Sequence, residues 1–168
     1  MTNAWHVAQI NVGTTLFETD DERLHGFMSR LDAVNALADK SPGFVWRLQS
    51  ESGNATDIDV GGDPLFIVNM SVWASIDELF EFVYKTAHRE VMIRRREWFA
   101  RPKGAYQALW WVPAGHTPTP EEALERLAYL NEHGPTEKAF TFQKTFPPPD
   151  KAVDPKDYRP DPWCAGWS

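Results

Sequence analysis

The sequence predicts an α+β fold in the order β-α-β-β-α-β, followed by one more helix and a short strand. Three observations carry that expectation. Strand-like runs alternate with helical periodicity. Hydroxyl caps open the helical stretches. Pro-Gly or Gly-Pro pairs close two of them. The chain has 168 residues and 42% hydrophobic residues, enough for one domain with a buried core.

Residues 5–12 alternate imperfectly and read as the first strand. Thr19-Asp20-Asp21-Glu22 offers a capping box. Leu24, Phe27, Met28, Leu31, Val34 and Ala38 follow at helical spacing, and Ser41-Pro42-Gly43 ends that helix. Residues 44–50 read as a second strand. Residues 51–63, rich in Gly, Ser, Asn and Asp, read as a loop. Residues 65–73 form the strongest strand signal. Ser75 with Glu78 is a second capping box, opening a long helix to about Phe99 that Arg101-Pro102-Lys103-Gly104 stops. Residues 105–112 make a fourth strand. Thr119-Pro120-Glu121-Glu122 starts a third helix, with proline at its first position, and Gly134-Pro135 ends it. Residues 139–143 read as a short fifth strand.

This order is ferredoxin-like: an antiparallel sheet with two helices on one face. The other face is expected to carry some of Trp5, Trp46, Phe66, Trp110 and Trp111. A monomer rarely exposes so large an apolar patch. Two sheets placed face to face would cover it, which predicts a homodimer enclosing a barrel-like cavity. The domain is expected over residues 1–145. Residues 146–168 are an irregular tail, because six of the 13 prolines fall between Pro147 and Pro162. Tyr158, Trp163 and Trp167 suggest that this tail docks, on a partner subunit or elsewhere.

Composition narrows the function. The net charge of -7 argues against a nucleic-acid partner. The patch of Arg89, Arg94, Arg95, Arg96, Arg101 and Lys103 reads as a solvated helix face or a site for an acidic small molecule. No apolar run is long enough for a membrane helix. No basic and apolar leader follows Met1, so a cytoplasmic location is expected. One cysteine, Cys164, excludes a disulfide framework within the chain. His6, His88 and His116 lack metal-ligand spacing, so no metal site is expected. P-loop, GxGxxG and GxSxG motifs are absent.

The long helix holds the candidate chemistry. Ile76, Leu79, Phe80, Val83, Ala87, Val91 and Trp98 fall on one stripe, with Arg94 in its middle. Tyr84, His88 and Arg95 line one edge of it. An arginine on a core-facing stripe is either a paired structural group or an anion-binding one at a pocket mouth. His88 is the candidate general acid/base, whose pKa Arg95 would lower if close; its alternative is a structural role. Arg94, Arg95, Tyr84, Trp98, Asn11 and Trp110 are the candidate substrate-binding residues. The aromatic members would stack on a ring. Asn11, like Asn69, is a polar strand residue that either orients a ligand carbonyl or bonds across the sheet.

Several segments together carry a family resemblance. They are Trp5-His-Val-Ala-Gln-Ile-Asn11, Pro42-Gly-Phe-Val-Trp-Arg-Leu48, the helix Phe82 to Phe99, the helix Thr119 to Pro135, and Ala139-Phe-Thr-Phe142. Over residues 4–145 the chain resembles the bacterial domain-of-unknown-function family numbered 3291. The resemblance implies a dimeric α/β barrel. That superfamily includes cofactor-free monooxygenases, haem-degrading enzymes, haem peroxidases, lactone isomerases and non-catalytic members. It implies a small-molecule-binding homodimer acting without a cofactor on an aromatic or carboxylated metabolite, by oxidation or proton transfer. The alternatives are a non-catalytic binding or stress-related protein, and a haem protein. Haem degraders carry an Asn on the first strand and a Trp and a His near the second helix. Asn11, Trp73 and His88 match in type, but Trp73 precedes the helix and lies too far from His88.

Overall fold

The computed structural model describes residues 4–149, apart from 51, 57, 60 and 61. Its centre is β1 (Trp5–Thr14), whose length lets it pair on both sides. β1 runs antiparallel to β3 (Phe66–Trp73), with Val7 opposite Trp73 and Thr14 opposite Phe66. It also runs antiparallel to β4 (Gln107–Pro113), with Asn11 opposite Gln107. The short β2 (Phe44–Arg47) joins the free side of β3. The resulting order, β2-β3-β1-β4, is the antiparallel ferredoxin-like sheet that the sequence predicts.

Alternation along β1 sorts the two faces. Val7, Gln9, Asn11 and Gly13 face α1 (His25–Asp39), α2 (Ile76–Lys85) and α3 (His88–Ile93). Ala8 and Ile10 face the other way, with Val68, Met70, Val72, Ala108, Trp110 and Val112. The second face is not left for a partner subunit. α4 (Pro120–His133) lies across it and packs Ala123, Leu127 and Leu130 onto those strand residues. Trp110 is fully buried there, and Trp46, Leu48 and Phe66 are partly buried at the rim. Trp111 belongs instead to the helix-facing side, where its Nε1 donates to the Phe146 carbonyl at 2.7 Å. The expected bare apolar face is therefore a core built within one chain.

Two helix starts follow the sequence. The Ser75 hydroxyl accepts from the Glu78 amide, and Thr119 accepts from the Glu122 amide ahead of Pro120. α4 ends at Gly134 with φ of 73°, a conformation that favours glycine. The first capping box forms differently. Asp21, not Thr19, caps a 3-10 turn at Glu22–Leu24, and α1 follows without a side-chain cap. The second strand ends at Arg47, short of residue 50; Arg47 is still opposite Ser71, and its side chain bonds Asp39 and the Gly53 carbonyl. The fifth strand reduces to a bridge in which Leu109 and Phe140 exchange hydrogen bonds of 2.8 Å.

The largest departure is the long helix, which is broken. α2 ends at Lys85, α3 begins at His88, and a 3-10 turn follows at Arg95–Glu97. Thr86 is extended, with φ of -119° and ψ of -174°. Its hydroxyl bonds back to the Phe82 carbonyl and also accepts from the His88 amide. Threonine competes in this way with the helical ladder, and here the competition succeeds. Tyr158, Trp163, Cys164 and Trp167 lie outside the described residues.

Leu130→Ala opens a void between α4 and the sheet and is expected to cost about 2–5 kcal/mol. Leu16→Ala, at an exposed position, is expected to cost within about 0.5 kcal/mol. Urea unfolding of both variants checks this. Equal, small effects would mean that α4 is not part of the core.

Candidate functional site

A cavity of about 110 Å³ lies between the sheet and the layer of α1, α2 and α3. Its floor is unusual for a core-facing surface. Where the rest of the sheet presents large apolar side chains, the middle of this face presents Gln9 opposite Ser71 and Asn11 opposite Asn69. Buried polar positions are the informative exceptions in an apolar core. Gln9 Nε2 donates to Asn69 Oδ1 at 3.0 Å and to Ser71 Oγ at 2.9 Å. Trp73 Nε1 also donates to Ser71 Oγ, at 2.9 Å.

Arg95 closes one end. The helix break shifts the register of the residues after it, and Arg95, not Arg94, turns inward. It is buried, and its Nη2 donates to the Val12 carbonyl at 2.7 Å. The guanidinium lies over the Phe99 and Tyr106 rings, 4.7 and 4.3 Å from their centroids. Its Nε is buried without a hydrogen-bond partner. No carboxylate among the described residues lies within ion-pair distance of it. Burial pulls its pKa down, yet an arginine stays charged near neutral pH. Gly13 makes this position possible. A Cβ there would stand 2.5 Å from the Phe99 ring and 2.9 Å from Arg95 Nη2.

The other arginines on the cavity wall are already paired. Arg30 bonds the Gly26 carbonyl and Glu90. Arg47 bonds Asp39 at 2.7 Å and the Gly53 carbonyl at 2.6 Å. Arg95 alone of these three presents an uncompensated charge to the cavity.

His88 lies on the same wall, its ring 5.1 Å from that of Phe82. Its Nδ1 is 3.3 Å from the Val83 carbonyl, a group freed by the break between α2 and α3. A carbonyl only accepts, so Nδ1 carries the proton and Nε2 the lone pair. Burial, assisted by the charge of Arg95, pulls the His88 pKa down to about 4, against the opposing effect of the Val83 bond. The imidazole is therefore neutral near pH 7.

Of the residues singled out in the sequence, Asn11, His88 and Arg95 converge on this cavity. Arg94 does not. It pairs with Glu97 at 2.8 Å and with Glu90 at 3.9 Å on the outer surface, 5.0 Å above Trp98. Trp98 is buried beside Phe27, and Tyr84 packs on Phe80 and Phe142. Trp110 lies across the sheet, its Nε1 donating to Glu122. His116 also bonds Glu122, at 2.7 Å. Gln9, Ser71, Arg30 and Arg47 escaped the sequence reading. Gln9 and Ser71 had a signal: with Asn11 and Asn69 they are polar at alternate positions in the middle of two largely apolar strands.

No group of three or more His, Cys, Asp or Glu among the described residues is placed to hold a metal. Asn11, Trp73 and His88, the residue types of a haem degrader, do meet here. The volume does not fit that group. Pockets for drug-sized ligands run to about 300–1,000 Å³, and this cavity is about 110 Å³.

A family model described as Domain of unknown function (DUF3291) matches residues 6–156, past the expected boundary at 145. No curated protein matches the chain. Among solved structures, a putative antibiotic biosynthesis monooxygenase from Nitrosomonas europaea is 15% identical, with 71% of this chain and 98% of that one covered at a TM-score of 0.42. SnoaB, a cofactor-independent oxygenase from Streptomyces nogalater, is 17% identical, with 67% and 95% covered at 0.40. A putative antibiotic biosynthesis monooxygenase from Chloroflexus aurantiacus is 10% identical, with 68% and 97% covered at 0.42.

The lowered His88 pKa has a measurable sign. Between about pH 6.5 and 4 the unfolded chain takes up a proton that the folded chain refuses, so this contribution to stability is lost as pH falls. It amounts to roughly 3 kcal/mol at most. Denaturant unfolding of wild type and His88→Gln at pH 7 and pH 4.5 is expected to show the wild type losing more on acidification. Parallel losses would place the His88 pKa at its ordinary value.

Proposed function

The chain belongs to the family of unknown function DUF3291, and we propose that it binds a small carboxylated metabolite in the cavity under α1, α2 and α3, and acts on it by proton transfer. The observation that carries this reading is the buried guanidinium of Arg95, a residue lining the cavity, which has no carboxylate within ion-pair distance among the described residues and leaves its Nε without a hydrogen-bond partner. A buried charge is costly unless paired, and a ligand carboxylate or enolate is the partner that an arginine fork suits.

The chemistry follows from the neutral imidazole. Nε2 of His88 removes a proton from carbon next to a carbonyl, while Arg95 and the Asn11 and Asn69 amides stabilise the enolate oxygen. With a pKa of about 4, His88 is a weak base and depends on that stabilisation. Returning the proton to a neighbouring carbon gives an isomerase. The same carbanion can instead react with dioxygen, one oxygen atom forming a new carbonyl and the other leaving as water with the two hydrogens of the methylene. This is cofactor-independent monooxygenation. A second reading is non-catalytic binding. It is favoured by the bond between His88 and Val83, which gives the histidine a purely structural task at the end of α2.

Titration of butyrate into wild type and Arg95→Gln tests the binding. The charge-assisted bond predicts a loss of about 10–100-fold in the variant, and equal affinities would end the anion-pocket reading. Solvent deuterium exchange into acetoacetate separates the two readings. Exchange falling about 10²–10⁴-fold in His88→Ala supports proton transfer. No exchange above the solvent rate leaves the binding protein. Oxygen uptake on active substrates assigns the monooxygenase branch.

We also propose a homodimer in a cytoplasmic setting. No helix of the described residues is long and apolar enough to cross a membrane. The dimer is supported by the exposed Val45 on edge strand β2. Sedimentation at micromolar concentration is expected to show twice the 19.2 kDa chain mass. A 19.2 kDa species would overturn it.

A further inference from the structure

The cavity is walled unevenly. On the α2 side Phe82 stacks on Trp73, with ring centroids 5.1 Å apart. On the α1 side Phe27 packs on Trp98 and Phe99, at 5.6 and 5.1 Å. Parting either wall would expose large aromatic surface to water. One stretch of wall is different. Residues 52–56, in the loop after β2, reach the cavity through Ala55 and Thr56. Ala55, at 8% exposure, is the one apolar side chain that this stretch buries.

Polar bonds hold the stretch in place from two sides. Asn54 Nδ2 donates to Asp32 at 3.1 Å, and Asn54 Oδ1 accepts from Asn35 Nδ2 at 2.7 Å. A carboxylate only accepts, which fixes the Asn54 amide in this orientation. Arg47 Nη1 donates to the Gly53 carbonyl at 2.6 Å, while its Nε donates to Asp39 at 2.7 Å. Asp32, Asn35 and Asp39 follow one another at three and four residues, along one edge of α1. The stretch is thus a strap laid between β2 and that edge. Asn35 and Arg47 themselves line the cavity, so the strap meets α1 at the cavity rim. A segment with few buried apolar contacts, held by a few polar bonds, opens at less cost than the packed elements around it.

Taking the cavity as the binding site proposed above, we infer that residues 52–56 are its gate, with Asn54 as the latch. The ligand enters and leaves between the strap and α1, while α2, α3 and the sheet stay in place. Losing the latch bonds speeds access to the cavity and leaves its floor unchanged.

Thiol accessibility tests the gate without any ligand, so its failure is separate from that of the butyrate titration, which tests the anion reading. Ser71→Cys, in a Cys164→Ser background, places a thiol on the cavity floor at a position 8% exposed. Its modification by methyl methanethiosulfonate is followed by mass spectrometry. Reaction is expected to be slow beside an unfolded control. It is expected to be about tenfold faster on adding Asn54→Ala, which removes two hydrogen bonds. Glu90→Gln, which breaks the Arg30 pair on the α3 side of α1, is expected to leave the rate within about twofold. Gating by the strap also predicts little dependence on low urea, whereas global unfolding rises steeply with it. A rate that Asn54→Ala leaves unchanged would overturn the gate. So would a rate raised only by Glu90→Gln, a steep urea dependence, or reaction as fast as in the unfolded control. Where Ser71→Cys does not fold, Ala38→Cys on the α1 wall gives the same readings.

Discussion

β1 is bounded on both edges by strands and on both faces by helices, so each of its side chains is committed to one environment. Ala8 and Ile10 close the core beneath α4. Gln9, Asn11 and Gly13 floor the cavity. A strand has a side-chain period of two, so a register slip of one residue would exchange the two sets. Gln9 and Asn11 would then sit in the apolar layer under Leu127 and Leu130, without partners. The pairing of Gln9 with Ser71 and of Asn11 with Asn69 across β3 therefore fixes register and builds the polar floor at once. Core and site are two faces of the same strand, which is why the fold needs no long loop to make a pocket.

The helix break supplies the other wall. In a continuous helix from Ser75 to Phe99, Arg94 would fall on the sheet-facing stripe. Thr86 prevents this by taking the Phe82 carbonyl for its own hydroxyl. His88 then satisfies the Val83 carbonyl through its ring. These two side chains repair the end of α2 and set the direction of α3. The residues beyond the break reach inward in a different phase, so Arg95 is buried and Arg94 pairs with Glu97 outside. The uncompensated cation and the neutral histidine thus share one cause. Gly13 completes the arrangement by leaving room for Phe99 and Arg95.

Much of the fold was legible in the sequence because its signals are local. Strand alternation, the Ser75 and Thr119 caps and the Gly134-Pro135 stop each act within a few residues, and all appear in the structure. What failed was non-local or a close competition. Helical periodicity continues through Thr86, and only the balance between its hydroxyl and the ladder breaks the helix. The start and stop of α4 are marked in the sequence, but the surface that it packs on is not. The second sheet face was therefore assigned to another subunit, when Leu127 and Leu130 already cover it. The lining of the cavity was legible in part for the same reason. Asn11, His88 and Arg95 announce themselves by residue type. Tyr84, Trp98 and Trp110 are the same residue types that a core uses, and here they serve the core.

Cavity size and cavity polarity together narrow the ligand further than either alone. A small apolar void would be a packing defect, costly in lost contacts. Here the lining includes Arg95, a buried cation whose Nε has no partner among the described residues. Water offers acceptors to such a cation, and a carboxylate adds the opposite charge that a buried guanidinium favours. Val12 provides one acceptor and the Phe99 and Tyr106 rings provide a polarisable face. Nε remains without a partner among the described residues.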